Sequence, residues 1–249
     1  MFNFDFPLSP RARTYLKLEQ VFKNAEKCTD FNSEQHVMYL LRCVVDFIDI
    51  VDGSSAIKID LLKDLEKCDS TLRQFETDPE CDLVVVNKLH DDIAKAKQIL
   101  DNFTRQRTVL KDDPIIEQIK PRFMTPGGLN CFDTPMFTYW LSLNEKEKHD
   151  RATNWLHEFD CIRVPVYTIL YIWRLCANLS DRVAKSGFMQ ESADTCDLIN
   201  IQYSKDVEAY PVVSGFQSRV NIRFLPFEKG TPVGDIPFKI AYIKSSLEQ

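Results

Sequence analysis

Arg219, Asn221 and Arg223 alternate with Val220, Ile222 and Phe224 along a single run near the end of the chain. A period of two is that of a β-strand, so the polar residues fall on one face and the apolar residues on the other. At strand rise the two arginines stand about 13 Å apart. A guanidinium is planar, permanently charged and able to hold a carboxylate through two parallel hydrogen bonds. The pair therefore suits a carboxylate-bearing peptide or another acidic ligand. A solvated sheet face, with its arginines paired to local acids, accounts for the same pattern.

Charge sharpens the contrast, because the chain of 249 residues carries a formal net charge of −6. Residues 211 to 244 hold Arg219, Arg223, Lys229, Lys239 and Lys244 against Glu228 and Asp235, a net of +3 that leaves −9 for the rest. An acidic body argues against general nucleic-acid binding, which needs a dominant basic surface to displace phosphate counterions.

Other groups with chemical potential are weaker. His36, His90, His149 and His157 include no pair at helical metal-binding spacing, so no metal site is expected. His157 and Cys161 stand four apart, but no orienting acid or oxyanion site accompanies them. Pro126-Gly-Gly128 lacks the lysine and the preceding strand of a phosphate loop and reads as a tight turn. Lys58, Asp60, Lys63, Asp64, Glu66 and Lys67 mix signs at helical spacing, as a solvated helix face does. The eight cysteines are scattered without a Cys-x-x-Cys, which points to reduced core residues and not to disulfides or zinc. No cofactor is expected.

The elements that position these residues follow from periodicity. Ser9-Pro10 starts a helix to about Lys27, and Ser33 caps a longer one with Val37, Leu40, Leu41, Val44, Phe47, Ile48 and Val51 on its stripe. A third helix runs from about Ile57 to the Asp78-Pro79 break, and a fourth from about Leu83 to Phe103. Prolines and glycines at 114 to 136 predict strand and turn, and this insert pairs with the later strands. Helical patterns return from Phe137 to about Phe159 and from Pro165 to about Ala184. From Asp197 onward the period is two, with turns at Tyr210-Pro211, Ser214-Gly215, Lys229-Gly230 and Val233-Gly234.

The expected class is α+β, a mainly helical bundle domain plus a smaller antiparallel β domain. Its boundaries fall at 1–113 and 137–186 for the helical domain, with 114–136 and 187–249 forming the β domain. No apolar run reaches the ~18 to 20 residues of a membrane span, and the N-terminus has no basic region or cleavage site of a signal peptide. A cytosolic chain without membrane insertion is expected.

Four blocks carry a family resemblance: residues 11–19 (RARTYLKLE), 59–66 (IDLLKDLE), 126–135 (PGGLNCFDTP) with Trp140-Leu141, and 214–226 (SGFQSRVNIRFLP). Taken in order along the chain, they resemble the ZapD family of bacterial cell-division proteins. The resemblance implies a non-enzymatic homodimer with a helical and a β domain, cytoplasmic and placed at midcell. It also implies binding to the C-terminal tail of the tubulin-like protein FtsZ, and cross-linking of FtsZ filaments into bundles that stabilise the Z-ring. The family's basic pocket maps onto Arg219 and Arg223, with Asn221 between them and neighbouring apolar side chains taking the tail's hydrophobic positions. Its third basic residue would fall where this chain reads Asp52-Gly-Ser-Ser55, and Lys58 is the substitute. Lys17, Lys120 and Arg122 are secondary basic or dimer candidates. Two other classes stay open. One is an enzyme or binding module for a small anionic ligand held by the arginines; the other is a nucleic-acid binder, which would need aromatic side chains on the arginine face.

Overall fold

The structure is a computed structural model and describes residues 1–28, 30–31, 33–77, 79, 81–103, 109–193, 196–216 and 219–245. Asp78 of the expected Asp78-Pro79 break, and Gln217 and Ser218 of the last block, lie outside the described residues. In chain order the elements are β1 (Phe2–Pro7), α1 (Pro10–Ala25), α2 (Glu34–Gly53), α3 (Ile57–Phe75), α4 (Leu83–Asp101), α5 (Val109–Asp112) and α6 (Pro114–Ile119). A 3-10 turn at Lys120–Arg122 follows, then α7 (Pro135–Leu141), α8 (Glu145–His157) and α9 (Asp160–Leu175). The remaining strands are β2 (Ser180–Ala184), β3 (Phe188–Ser192), β4 (Leu198–Tyr203), β5 (Ala209–Phe216), β6 (Arg219–Pro226) and β7 (Ile236–Ile243). The fold is α+β. Among the described residues, no helix is long and apolar enough to cross a membrane.

The chain divides into two compact units, one of residues 14–66 and 80–169, the other of 1–13, 67–79 and 170–249. The first is helical. Its core gathers Leu18, Phe22, Leu40, Leu41, Phe47, Ile48 and Phe159, all buried. Phe47 and Phe159 meet at 4.6 Å between ring centroids, with Phe22 within 6.0 Å of both. The Asp64 carboxylate, also buried, accepts a hydrogen bond of 3.0 Å from the Tyr15 hydroxyl. A buried charge needs such partners.

The segment 114–136, expected as strand and turn, keeps the turn but has helix in place of strand, and it falls within the helical unit. Pro114, Pro121 and Pro135 begin helical turns instead of breaking them. Asp113 caps α6, its side chain accepting from the amides of Ile115 and Ile116, with Pro114 in the first turn, where a missing N–H costs nothing. Pro135 opens α7 in the same way. Between them the Asn130 side chain donates to the Gly127 carbonyl at 2.9 Å and accepts from the Asp133 amide at 2.8 Å, and the Thr134 hydroxyl donates to the Asn130 carbonyl at 2.7 Å. Gly127 has a φ of +65°, a conformation suited to glycine. Pro126-Gly-Gly128 is thus part of a side-chain-locked turn.

Two further helical expectations change. The pattern from Phe137 to Phe159 is split, because the Ser142 hydroxyl closes α7 on the Tyr139 carbonyl and Asn144 caps α8 through the Glu147 amide. The helix expected from Pro165 to Ala184 starts earlier, at Asp160, and stops at Leu175. Residues 180–184 pair with β7 instead, and Ala184 is buried in the β core.

The second unit holds two antiparallel sheets, of strand order β1-β4-β7-β2 and β3-β6-β5. They share a core of Val220, Ile222 and Phe224 from β6 with Ile199, Ile201 and Tyr203 from β4 and Ile236, Phe238 and Ile240 from β7. Each such side chain contributes about 1.5–3 kcal/mol on burial. β1 had not been expected. Its Phe2 and Phe4 stack about Tyr203, with centroids 5.3 and 6.0 Å away.

β5 runs through the positions expected as turns. Tyr210-Pro211 and Ser214-Gly215 are strand residues, paired in register with Leu225, Phe224, Asn221 and Val220 of β6. β5 is an edge strand, where proline is tolerated. A Cβ at Gly215 would stand 2.9 Å from the tip of Leu8.

Candidate functional site

β6 is the central strand of its sheet, and its alternation is as the sequence implies. Val220, Ile222 and Phe224 are buried, while Arg219 and Arg223 are exposed and Asn221 is half-buried on the opposite side. Antiparallel register then sets the neighbours. Arg223 lies between Phe188 of β3 and Val212 of β5, and Asn221 between Gln190 and Ser214. Arg219 lies in register between Ser192 of β3 and Phe216 of β5.

Neither arginine makes an ion pair among the described residues. The Arg223 guanidinium carbon lies 5.7 Å from the Phe188 ring centroid, a cation–π distance that steadies the side chain while leaving its N–H donors available. Phe188, Val212 and Tyr210 are 41%, 43% and 45% exposed, which is large for apolar side chains on a sheet. The outer face is therefore two available cations beside an apolar ledge.

The nearest acid on β3, Glu191, points the other way. Its carboxylate accepts from Arg182 at 3.0 and 3.2 Å and from the Tyr242 hydroxyl at 3.0 Å, and these bonds, the Arg182 one foremost, hold it below the usual carboxylate range. That clamp ties β2, β3 and β7 together. The outer face itself offers the hydroxyls of Ser192 and Ser214 and the amides of Gln190 and Asn221. Among its described residues it carries no imidazole or carboxylate to act as a base.

Lys58 stands at the start of α3, in the helical unit. Its ammonium donates to the Asp101 and Phe103 carbonyls at 3.0 and 3.1 Å, capping the C-terminal end of α4. Lys120 pairs with Asp49 at 2.8 Å and Arg122 with Asp133 at 3.5 Å. Lys17 is exposed beside a cleft of about 560 Å³ that Asp46, Asp49 and Ser54 also line. Within the β unit Arg219, Asn221 and Arg223 share one face, and Lys17, Lys58, Lys120 and Arg122 belong to the helical unit.

His157 and Cys161 are separately occupied. His157 faces Asp160 at 3.6 Å, and the Cys161 thiol donates to the Glu158 carbonyl at 3.1 Å. Desolvation pushes that thiol up to about 12, far from the thiolate a nucleophile requires. Cys43 is likewise raised to about 12 by burial.

Residues 16–223 match the family model of ZapD, described as a cell division protein. The chain belongs to the ZapD family. It is 30% identical over 240 residues to the cell division protein ZapD of Photobacterium profundum, covering 96% of this chain and 98% of that one. The ZapD of Vibrio atlanticus is 30% identical over 244 residues, with 96% and 97% covered. That of Yersinia enterocolitica is 27% identical over 240 residues, with 96% of each covered. The ZapD match takes in the 126–135 turn and reaches both arginines.

Phe188, Val212 and Tyr210 were not singled out from the sequence as site residues. Each lies on a strand neighbouring β6, and strand register cannot be read from one strand's pattern. The turn signal Ser186-Gly187 immediately before Phe188 was the available clue.

Proposed function

We propose that this member of a cell-division family binds the C-terminal tail of FtsZ on the outer face of β6. As a homodimer it cross-links FtsZ filaments into bundles that stabilise the Z-ring, in the cytoplasm at midcell and without catalysis. The observation that carries the reading is the setting of Arg219 and Arg223: exposed, free of ion pairs among the described residues, and bordered by exposed apolar side chains. Charge-assisted hydrogen bonds from the guanidinium groups fix the tail's carboxylates, and apolar contact adds affinity.

Dimerisation is part of the mechanism. A two-fold dimer presents two identical faces, so one molecule holds two filaments. A filament displays many tails, which makes each further engagement effectively intramolecular, and individually weak contacts suffice. Lys58, with its ammonium occupied at the end of α4, serves the helical unit, and the two arginines carry the tail contact.

Co-sedimentation tests the proposal. With Arg219→Glu and Arg223→Glu together, the folded dimer stays in the supernatant while FtsZ filaments pellet. Undiminished co-sedimentation of that variant would overturn the assignment. The same variant tests the reading as a site for a small anion: turnover of a phosphate or carboxylate metabolite lost on substitution would favour an enzyme.

A further inference from the structure

Backbone groups, and not only side chains, are presented beside the arginines. The Phe224 amide donates to the Gly187 carbonyl at 2.7 Å, so the backbone of Phe224 points toward β3. Strand alternation fixes the rest: Phe224, Ile222 and Val220 bond toward β3, and Arg223, Asn221 and Arg219 toward β5. Phe188, Gln190 and Ser192, in register with Arg223, Asn221 and Arg219, therefore form non-hydrogen-bonded pairs, and their N–H and C=O groups point away from β6. Among the described residues β3 ends its sheet on that side. The Lys185 carbonyl takes the Phe188 amide at 2.9 Å, which leaves Gln190 and Ser192, both exposed, with donor and acceptor directed outward. The opposite edge is blunted. Pro211, in register with Phe224, has no N–H to offer there, and the Ala209 carbonyl accepts from the Tyr203 hydroxyl at 3.0 Å.

We infer that the acidic peptide binds as an added strand on the free edge of β3, its backbone bonded to Gln190 and Ser192 and its carboxylates turned to Arg219 and Arg223. This rests on the peptide reading given above and adds to it a binding mode. An added strand lies about 5 Å beyond β3. The Arg223 guanidinium already extends in that direction, 5.7 Å from the ring of Phe188 on β3. Alternate residues of the added strand share the outer face, and arginines about 13 Å apart match carboxylates at i and i+4 of an extended chain. The bonds that Glu191 accepts from Arg182 and Tyr242 hold β3 in place, so the edge is ordered before the peptide arrives. In such an addition main-chain bonds supply affinity, and the arginines supply the choice of an acidic sequence.

The test uses the full-length protein and a synthetic FtsZ tail peptide. Amide hydrogen exchange, followed by NMR, is expected to slow about tenfold or more at Gln190 and Ser192 when the peptide saturates the protein. Slowing at Val213 and Gly215 instead moves the peptide to the β5 edge and overturns the inference. A scan of single N-methyl groups along the peptide, titrated by fluorescence anisotropy, needs no protein variant. It is expected to weaken binding about five- to tenfold at every second residue of the bound segment, the worth of one backbone hydrogen bond, and to be tolerated between them. Gln190→Pro deletes one outward donor and leaves the ladder to β6 intact, so it costs a similar factor, with circular dichroism to verify folding. A peptide that binds without the period of two and without slowing Gln190 and Ser192 overturns the inference and leaves the proposed function standing. Failure of the unmodified peptide to bind removes the underlying reading as well. Exchange at Gln190 and Ser192 that is slow in the free protein and quickens on dilution would place a second copy of this chain on the edge, which also overturns it.

Discussion

Two arginines four residues apart differ because of what stands beside them across the sheet. Arg223 has an aromatic ring at 5.7 Å and an exposed valine on its other side, whereas Arg219 lies in register between Ser192 and Phe216. Arg219→Gln and Arg223→Gln are each expected to weaken tail-peptide binding about tenfold, by titration calorimetry. Lys58→Ala is expected to leave peptide affinity within about twofold. It removes two bonds to the end of α4, and a lowered thermal midpoint reports a loss of about 0.5–1 kcal/mol. Glu191 gives a pH signature. Its folded carboxyl is held below its ordinary 4.5, chiefly by Arg182 and also by Tyr242. The stabilisation is therefore fully present above the unfolded value and is lost as pH falls through the folded value. Between pH 7 and pH 3 the thermal midpoint of the wild-type chain should fall further than that of Glu191→Gln.

At the scale of elements, the strands that present the site depend on a turn that only glycine fits well. Gly187 has a φ of +72°, its carbonyl accepts the Phe224 amide at 2.7 Å, and an added Cβ would stand 2.7 Å from Val233. Gly187→Ala is expected to cost about 1–3 kcal/mol, measured by urea unfolding, and to weaken peptide binding through the β3–β6 register. The four long helices were legible because their apolar stripes repeat over many turns. β6 and its two faces were legible for the same reason at period two. β1 carried a signal of its own, Phe2, Phe4 and Phe6 alternating with Asn3 and Asp5, and its pairing with β4 is a contact across nearly the whole chain. The helices at 114–119 and 135–141 were concealed by prolines, which read as breakers in sequence yet occupy first turns in the fold. β5 was concealed by turn-forming dipeptides that an edge strand tolerates. The site was half legible: β6 announces its arginines, but Phe188, Val212 and Tyr210 join them only through register.

For the whole molecule, a chain of net charge −6 bears the exposed Arg219 and Arg223 on one sheet face. Exposed ionic contacts are screened by salt, so filament bundling should decline steeply between low and near-molar ionic strength, as read by light scattering. The apolar ledge is insensitive to screening, which leaves a residual peptide affinity at high salt that Phe188→Ser should reduce. Membership of the ZapD family and an arginine face free of ion pairs among the described residues support the proposal of an acidic peptide partner. The central claim is that this face holds the tail of FtsZ, and co-sedimentation of the wild-type chain with intact and with tail-deleted FtsZ tests it most directly. The account predicts that the chain pellets with intact filaments and stays in solution with tail-deleted ones. Equal pelleting with both would contradict it.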